Sequence, residues 1–187
     1  MITCIFGKQG SGKTLYLVRQ GRRAQLRGKK VFSNFKLKIP HKLITFEDMK
    51  NCTLSNCILL VDEAHLWGLN ARQSNSKKNI LITSQFIPQL RKKSVDAYFT
   101  TQYPRQIDVR VRENADYFCW CKKYLFDPYT RKLGNVQQSK ILNPKVKIII
   151  EVELLDLSED NDARMYFIGN QFYKYYDTEE VIKVQDE

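Results

Sequence analysis

Apolar residues fall in short runs along the chain, at 2–6, 31–33, 57–61 and 95–101, each bounded by turn-forming residues. Helix-compatible stretches separate the first run from the second and the third from the fourth. Strands alternating with helices in this way predict βαβ units and a parallel sheet. The stretch "ILLV" at 58–61 is apolar at every position rather than every second one, as expected of a central strand covered on both faces. From Tyr117 onward the pattern changes to strand-like pieces in succession: "YFCWCKKYLF", "KVKIIIEVELL" and "MYFIGNQFYKYY". These predict an antiparallel edge, with Gly169-Asn170 as a hairpin turn and "LSEDNDAR", 157–164, as an exposed loop. The fold class expected is α/β, with a mainly parallel central sheet and an antiparallel C-terminal extension.

A length of 187 residues suits one domain, divided into a core over 1–116 and a strand-rich extension over 117–187. No apolar run reaches the ~18 residues of a membrane span, and no leader precedes the first strand, so a cytosolic location is expected. The five cysteines lack zinc-ligand spacing, and Cys119 and Cys121 alternate as on one strand, so reduced thiols are expected. Charge is uneven: residues 1–46 hold eleven Lys or Arg and no acid, whereas 151–187 hold eleven acids and three basic residues. That asymmetry suggests either a polyanionic partner or oppositely charged faces meeting between subunits.

"GKQGSGKT" at 7–14 fits the phosphate-binding pattern G-x-x-x-x-G-K-[ST], and it follows a predicted strand and opens a predicted helix, as that pattern requires. Backbone N–H groups of Gly7, Lys8, Gln9, Gly10, Ser11 and Gly12 would cradle the phosphates of ATP at the positive end of the helix. Lys13 would bridge β- and γ-phosphate oxygens, and the Thr14 hydroxyl would hold Mg²⁺. Further on, "CILLVDEAH" is an apolar strand ending in two acids. Asp62 is the expected second Mg²⁺ partner, and Glu63 the carboxylate that takes a proton from attacking water. In "AYFTTQYPRQ" the strand ends in polar residues; Gln102, with Thr101 second, is the candidate for orienting that water, provided its strand lies between the two motif strands. "QIDVRVREN" alternates Arg110 with Arg112, which would share a face. Those two, with Arg72 and Arg91, are candidates for an arginine delivered to a neighbouring subunit's site, although a structural or solvated arginine is the alternative for each singly.

These motifs, with "VFSN" at 31–34, "LLVDEAHLW" at 59–67, "TTQYP" at 100–104 and "IDVRVREN" at 107–114, occur in the order found in Zot-like ATPases, which the chain resembles. That group lies in the FtsK-HerA superfamily, with viral genome-packaging ATPases and filamentous-phage assembly ATPases. The resemblance implies a RecA-like core of the ASCE type with the Gln102 strand between the Walker strands. It also implies an ATP- and Mg²⁺-dependent ring, hexamer or pentamer, that translocates DNA in the host cytoplasm or with the virion and docks on capsid protein. Export members usually continue into a membrane span and this sequence contains none, which favours packaging of double-stranded DNA over extrusion. Arg19, Arg22, Arg23 and Arg27, with "KK" at 77–78 and "RKK" at 91–93, are the basic groups expected to meet DNA. The rivals are a phage export ATPase, a small-molecule kinase, and a DNA-binding assembly protein that uses ATP only to close a ring. Glu63 and the "TTQ" strand end argue against the kinase.

Overall fold

The structure is a computed structural model that describes residues 1–73, 75–127, 132–135, 147–158 and 161–177, with the backbone alone at 78, 127, 132, 133, 135 and 161. Nine strands form one sheet. They are β1 (Ile2–Phe6), β2 (Lys30–Ser33), β3 (Lys42–Leu43), β4 (Cys57–Val61), β5 (Asp96–Thr100), β6 (Tyr117–Asp127), β7 (Lys132–Asn135), β8 (Lys147–Asp156) and β9 (Asn161–Ile168). Their order is β3-β2-β4-β5-β1-β6-β8-β9, with β7 paired to β6. The pairs from β3 through β6 are all parallel, and those of β6 with β8, β8 with β9 and β6 with β7 are antiparallel. β6 is thus both the last parallel strand and the first of the extension. Expected mainly parallel, the sheet is so, and β5 does lie between β4 and β1.

The missing alternation in β1 and β4 has a direct cause in the layers above and below. Ile2, Cys4 and Phe6 of β1 and Cys57, Leu59 and Val61 of β4 enter one core. Ile5 of β1 and Ile58 and Leu60 of β4 enter the other. The first core is covered by α2 (Phe46–Lys50), the helical stretch α3 (Lys77–Leu81), a π-turn at Ile82–Phe86 and α4 (Ile87–Lys92), and by α5 (Val109–Glu113). The second is covered by α1 (Lys13–Leu26) and a 3₁₀ segment, Gly169–Tyr175. Phe6 meets Phe118 and Trp120 at centroid distances of 5.3 and 5.5 Å, so β6 is stitched to the end of β1 by aromatic edges.

Three sequence expectations give way here. Gly169-Asn170 is not a hairpin turn: β9 ends at Ile168, residues 169–175 form the 3₁₀ segment, and Asn170 Oδ1 accepts from the Ile148 N–H at 2.5 Å. β9 begins at Asn161, so the exposed connection after β8 is shorter than 157–164. Arg110 and Arg112 do not alternate on a strand, because Asp108 caps α5 by accepting from the Arg110 N–H, and two residues apart on a helix point away from each other.

The basic helix is also less open than its spacing suggests. The Arg19 guanidinium lies over the Phe167 ring at 5.1 Å and that of Arg22 over Tyr175 at 5.6 Å, so these two clamp the extension onto α1. Arg23 and Arg27 are exposed.

Burial pushes the Cys4 and Cys121 thiols up to about 12 and that of Cys57 up to about 11, and Cys119 is raised further. Only Cys52 is partly accessible. Alkylation of the native protein by iodoacetamide at mildly alkaline pH should therefore modify Cys52 alone, with the other four reacting only after denaturation. Peptide mass mapping checks this, and fast labelling of Cys4 or Cys121 would contradict the burial described.

Candidate nucleotide site

The loop between β1 and α1 is shaped by contacts that only glycine permits. At Gly7, φ is +147°, and a Cβ would stand 2.8 Å from the Cys121 carbonyl oxygen and 2.5 Å from Ser11 Oγ. At Gly12, φ is +97° and a Cβ would collide with Ile150 of β8. The extension therefore forms a wall of the loop, through β6 on one side and β8 on the other. Gly12 is also the N-cap of α1, so no side chain takes the helix's first free N–H groups, and no acid occupies its first turn. Lys8, Gln9 and Gly10 form the exposed crest. Lys13 is only 5% exposed, and its ammonium donates to the carbonyls of Gly7 at 2.9 Å and Lys8 at 3.3 Å.

Asp62 joins four segments. Its Oδ2 accepts from the Thr14 hydroxyl at 2.8 Å, and its Oδ1 from the Thr100 hydroxyl at the tip of β5. Asn34, just past β2, grips the Asp62 backbone twice: Oδ1 accepts the Asp62 N–H and Nδ2 donates to the Asp62 carbonyl, both at 2.8 Å. Tyr176, bridged to Leu37, lies close enough for Asp62 and Tyr173, after burial itself, to push its phenol upward. Asn34, Thr100 and Tyr176 had no assigned role in the sequence; the quoted "VFSN" and "YFTTQ" stretches were the available signals.

Glu63 occupies the left-handed backbone region, φ +47°, a conformation that a non-glycine side chain resists by roughly 1–2 kcal/mol. Its N–H donates to Thr100 Oγ1 at 3.0 Å, which helps hold it there. Burial raises the Glu63 carboxyl, with Asp62 adding to the shift and Lys13 and His65 opposing it. Gln102 is half-buried at the end of β5, and its carbonyl accepts from the Gly7 N–H at 3.3 Å, so the β5 tip and the phosphate loop touch. Thr101 is fully buried, and its hydroxyl donates to Gln106 Oε1 at 2.7 Å.

The arginine candidates are dispersed. Arg110 is bonded to both oxygens of the buried Asp108 at 2.9 Å, an ion pair that holds the Asp108 carboxyl below the usual range. Arg112 is half-buried with Nε enclosed, Arg91 pairs with Asp116 at 2.7 Å, and Arg72 is exposed.

The residues present fit a magnesium nucleotide. Ser11 Oγ, in the loop, and Glu63 Oε2, beside Asp62, are buried and lack a hydrogen-bond partner. The glycine cradle, the uncapped helix start and a buried lysine suit a polyphosphate. One hydroxyl and one carboxylate suit Mg²⁺, which keeps waters and phosphate oxygens in its shell. No group of three or more His, Cys, Asp or Glu that could hold a metal by itself occurs among the described residues.

A family model described as zonular occludens toxin (Zot) matches residues 35–176, which begins after the phosphate loop. Among solved structures, the N-terminal domain of zonular occludens toxin from Neisseria meningitidis is similar, with TM-score 0.61 and 21% identity over 94% of this chain and 98% of that one. B204, the DNA-packaging ATPase from Sulfolobus Turreted Icosahedral Virus, matches with TM-score 0.56 and 14% identity over 87% of this chain and 95% of that one. The ATPase domain of G40P matches with TM-score 0.51 and 12% identity over 95% of this chain and 84% of that one. No curated protein sequence matches. At these identities the likeness to the solved structures establishes the fold alone, an α/β architecture with a mainly parallel central sheet. No helix among the described residues is long and apolar enough to cross a membrane.

Asn34→Ala should strand a Asp62 N–H that is otherwise paired, costing about 2 kcal/mol and lowering the melting temperature by roughly 4–8 °C in a chain of this size. Thermal denaturation followed by circular dichroism reads this directly. An unchanged melting temperature would mean that Asn34 does not hold the strand end.

Proposed function

The chain belongs to the zonular occludens toxin (Zot) family, and on that premise we propose that it is an ATP-hydrolysing motor that moves DNA during virus assembly as a ring of identical subunits. The observation that carries this reading is the meeting of the Thr14 hydroxyl with Asp62 at 2.8 Å, with Glu63 beside it and the polar tip of β5 next to both. Glu63 next to Asp62 favours hydrolysis over passing phosphate to a second substrate, because a carboxylate there can take the proton of an attacking water.

Loop N–H groups and the start of α1 bind the phosphates, and Lys13 leaves its loop carbonyls to balance their charge. Thr14 and Asp62 would hold Mg²⁺, which would supply positive charge to offset that of the nucleotide's phosphates. Glu63 accepts the proton of the attacking water, a role suited to a carboxyl raised by burial but still opposed by Lys13 and His65. Gln102 orients that water. An arginine from the adjacent subunit, Arg110 or Arg112, completes the site; Arg110 must first give up Asp108 to do so.

DNA as the load is supported by the net charge of +11, by the exposed Arg23 and Arg27 on α1, and by the similarity to B204, a DNA-packaging ATPase by its description. The Zot family match supports phage assembly equally, and both are DNA movement in the virus-producing cell. Double-stranded DNA, a capsid docking partner and a cytoplasmic or virion location belong to the packaging form of the proposal.

Glu63→Gln should keep ATP affinity within about threefold while lowering turnover by ~10²–10⁴. Turnover of the unaltered protein should rise when duplex DNA is added. A steady-state phosphate-release assay with and without DNA measures both, and phosphate transfer to a nucleoside with no response to DNA would overturn the reading in favour of a kinase.

A further inference from the structure

Glu63 Oε2 is enclosed without a hydrogen-bond partner, and the ring of His65 lies beside it with Nδ1 3.5 Å away. His65 lies on the 3₁₀ turn Ala64–Leu66 that leaves β4, with its side chain 17% exposed. The same Nδ1 is 3.3 Å from Thr101 Oγ1.

Hydrogen bookkeeping at Thr101 decides which way these contacts run. The hydroxyl has one hydrogen, and its shorter contact, 2.7 Å, is to Gln106 Oε1. A carbonyl oxygen can only accept, so that hydrogen goes to Gln106, and toward His65 the hydroxyl oxygen offers a lone pair. Nδ1 must then carry the hydrogen and give it to Thr101 Oγ1, while Glu63 Oε2, 3.5 Å from the same nitrogen, is near the ring without accepting a hydrogen bond from it. Gln106 Oε1 also accepts the N–H groups of Gln102 and Tyr103, both at 3.1 Å. One amide oxygen therefore gathers the whole turn after β5, and the His65 ring links that turn to the acid of β4.

We propose that His65 is the positioning residue that couples the turn at 101–106 to the Glu63 carboxylate, its ring held by the Nδ1–H bond to Thr101 and packed 3.5 Å from the unpartnered Glu63 Oε2. The proposal rests on the reading of Glu63 as the group that takes the proton from water. Movement of the Gln102 tip shifts Gln106, turns the Thr101 hydroxyl, and moves the ring bonded to it against Glu63, so that the carboxylate is aligned only when the turn is correctly closed. His65 acts on the orientation of Glu63 and does not touch the nucleotide.

The test is steady-state ATP hydrolysis by full-length variants, with thermal unfolding run on each. His65→Ala should lower kcat about tenfold or more with KM for ATP changed by less than about twofold, the pattern of a misaligned catalytic group. His65→Asn, whose amide N–H reaches the Nδ1 position, should restore most of kcat. His65→Gln, whose amide reaches the far side of the ring, should not. Gln106→Ala should reproduce the loss, and the double variant His65→Ala/Gln106→Ala should be no slower than the worse single one, because both break one chain of contacts. Wild-type kcat in His65→Ala, equal rescue by Asn and Gln, or multiplying losses in the double variant would each overturn the coupling. If Glu63→Gln retains turnover, the hydrolytic reading itself falls; if Glu63→Gln is inactive while His65→Ala is not, only the coupling falls.

Discussion

The nucleotide site is tied together at Asp62. Thr14 reaches it from the first turn of α1, Thr100 from the tip of β5, and Asn34 holds its backbone from the end of β2. These contacts exist because three neighbouring parallel strands end at the same level, which follows from β5 lying between β1 and β4. A shift of any one strand by a residue would turn its tip residue to the opposite face and break the junction. The acid is nearly buried, at 7% exposure, so its hydrogen bonds are strengthened by low dielectric and their loss is correspondingly costly. The same junction fixes Glu63 in its left-handed conformation, since both Asp62 and Glu63 present their N–H groups to side chains of adjacent strands.

The extension takes part in the site as well as in the sheet. Gly7 lies under the Cys121 carbonyl and Gly12 against Ile150, so the phosphate loop is pressed between its own helix and strands that come more than a hundred residues later. Arg19 and Arg22 reinforce the contact by covering Phe167 and Tyr175. Two of the four arginines that looked like a surface for DNA are thereby used for packing, and their long apolar stems suit that role.

The phosphate loop and the acids at the end of β4 were legible because their chemistry demands particular residue types at fixed spacing. The buried strands were legible because both faces are covered, which removes alternation. Asn34 was not, since a polar residue after a strand looks the same whether it faces water or clamps a neighbouring strand. Gln106 was hidden for the same reason. "DVRVRE" misled because its alternating polarity matches a strand, while the Asp108 cap, a single side chain, commits the backbone to helix. Gly169-Asn170 has hairpin composition, yet Asn170 is drawn to the Ile148 N–H across the sheet, a contact set by strand pairing distant in sequence.

The position of β1 has a consequence for biosynthesis. Its five residues are apolar apart from Thr3, and all are buried in the finished protein, but its partners are β5, which begins at Asp96, and β6, which begins at Tyr117. At ~5–20 residues per second, β1 waits several seconds or longer after its own synthesis for the second of its neighbours. During that interval β2 and β4 can pair with each other, leaving β1 an unpaired apolar strand and the glycine loop after it slack. The nascent chain is therefore most vulnerable to misassociation before Trp120 is made, and the competence to grip a nucleotide arrives late and all at once.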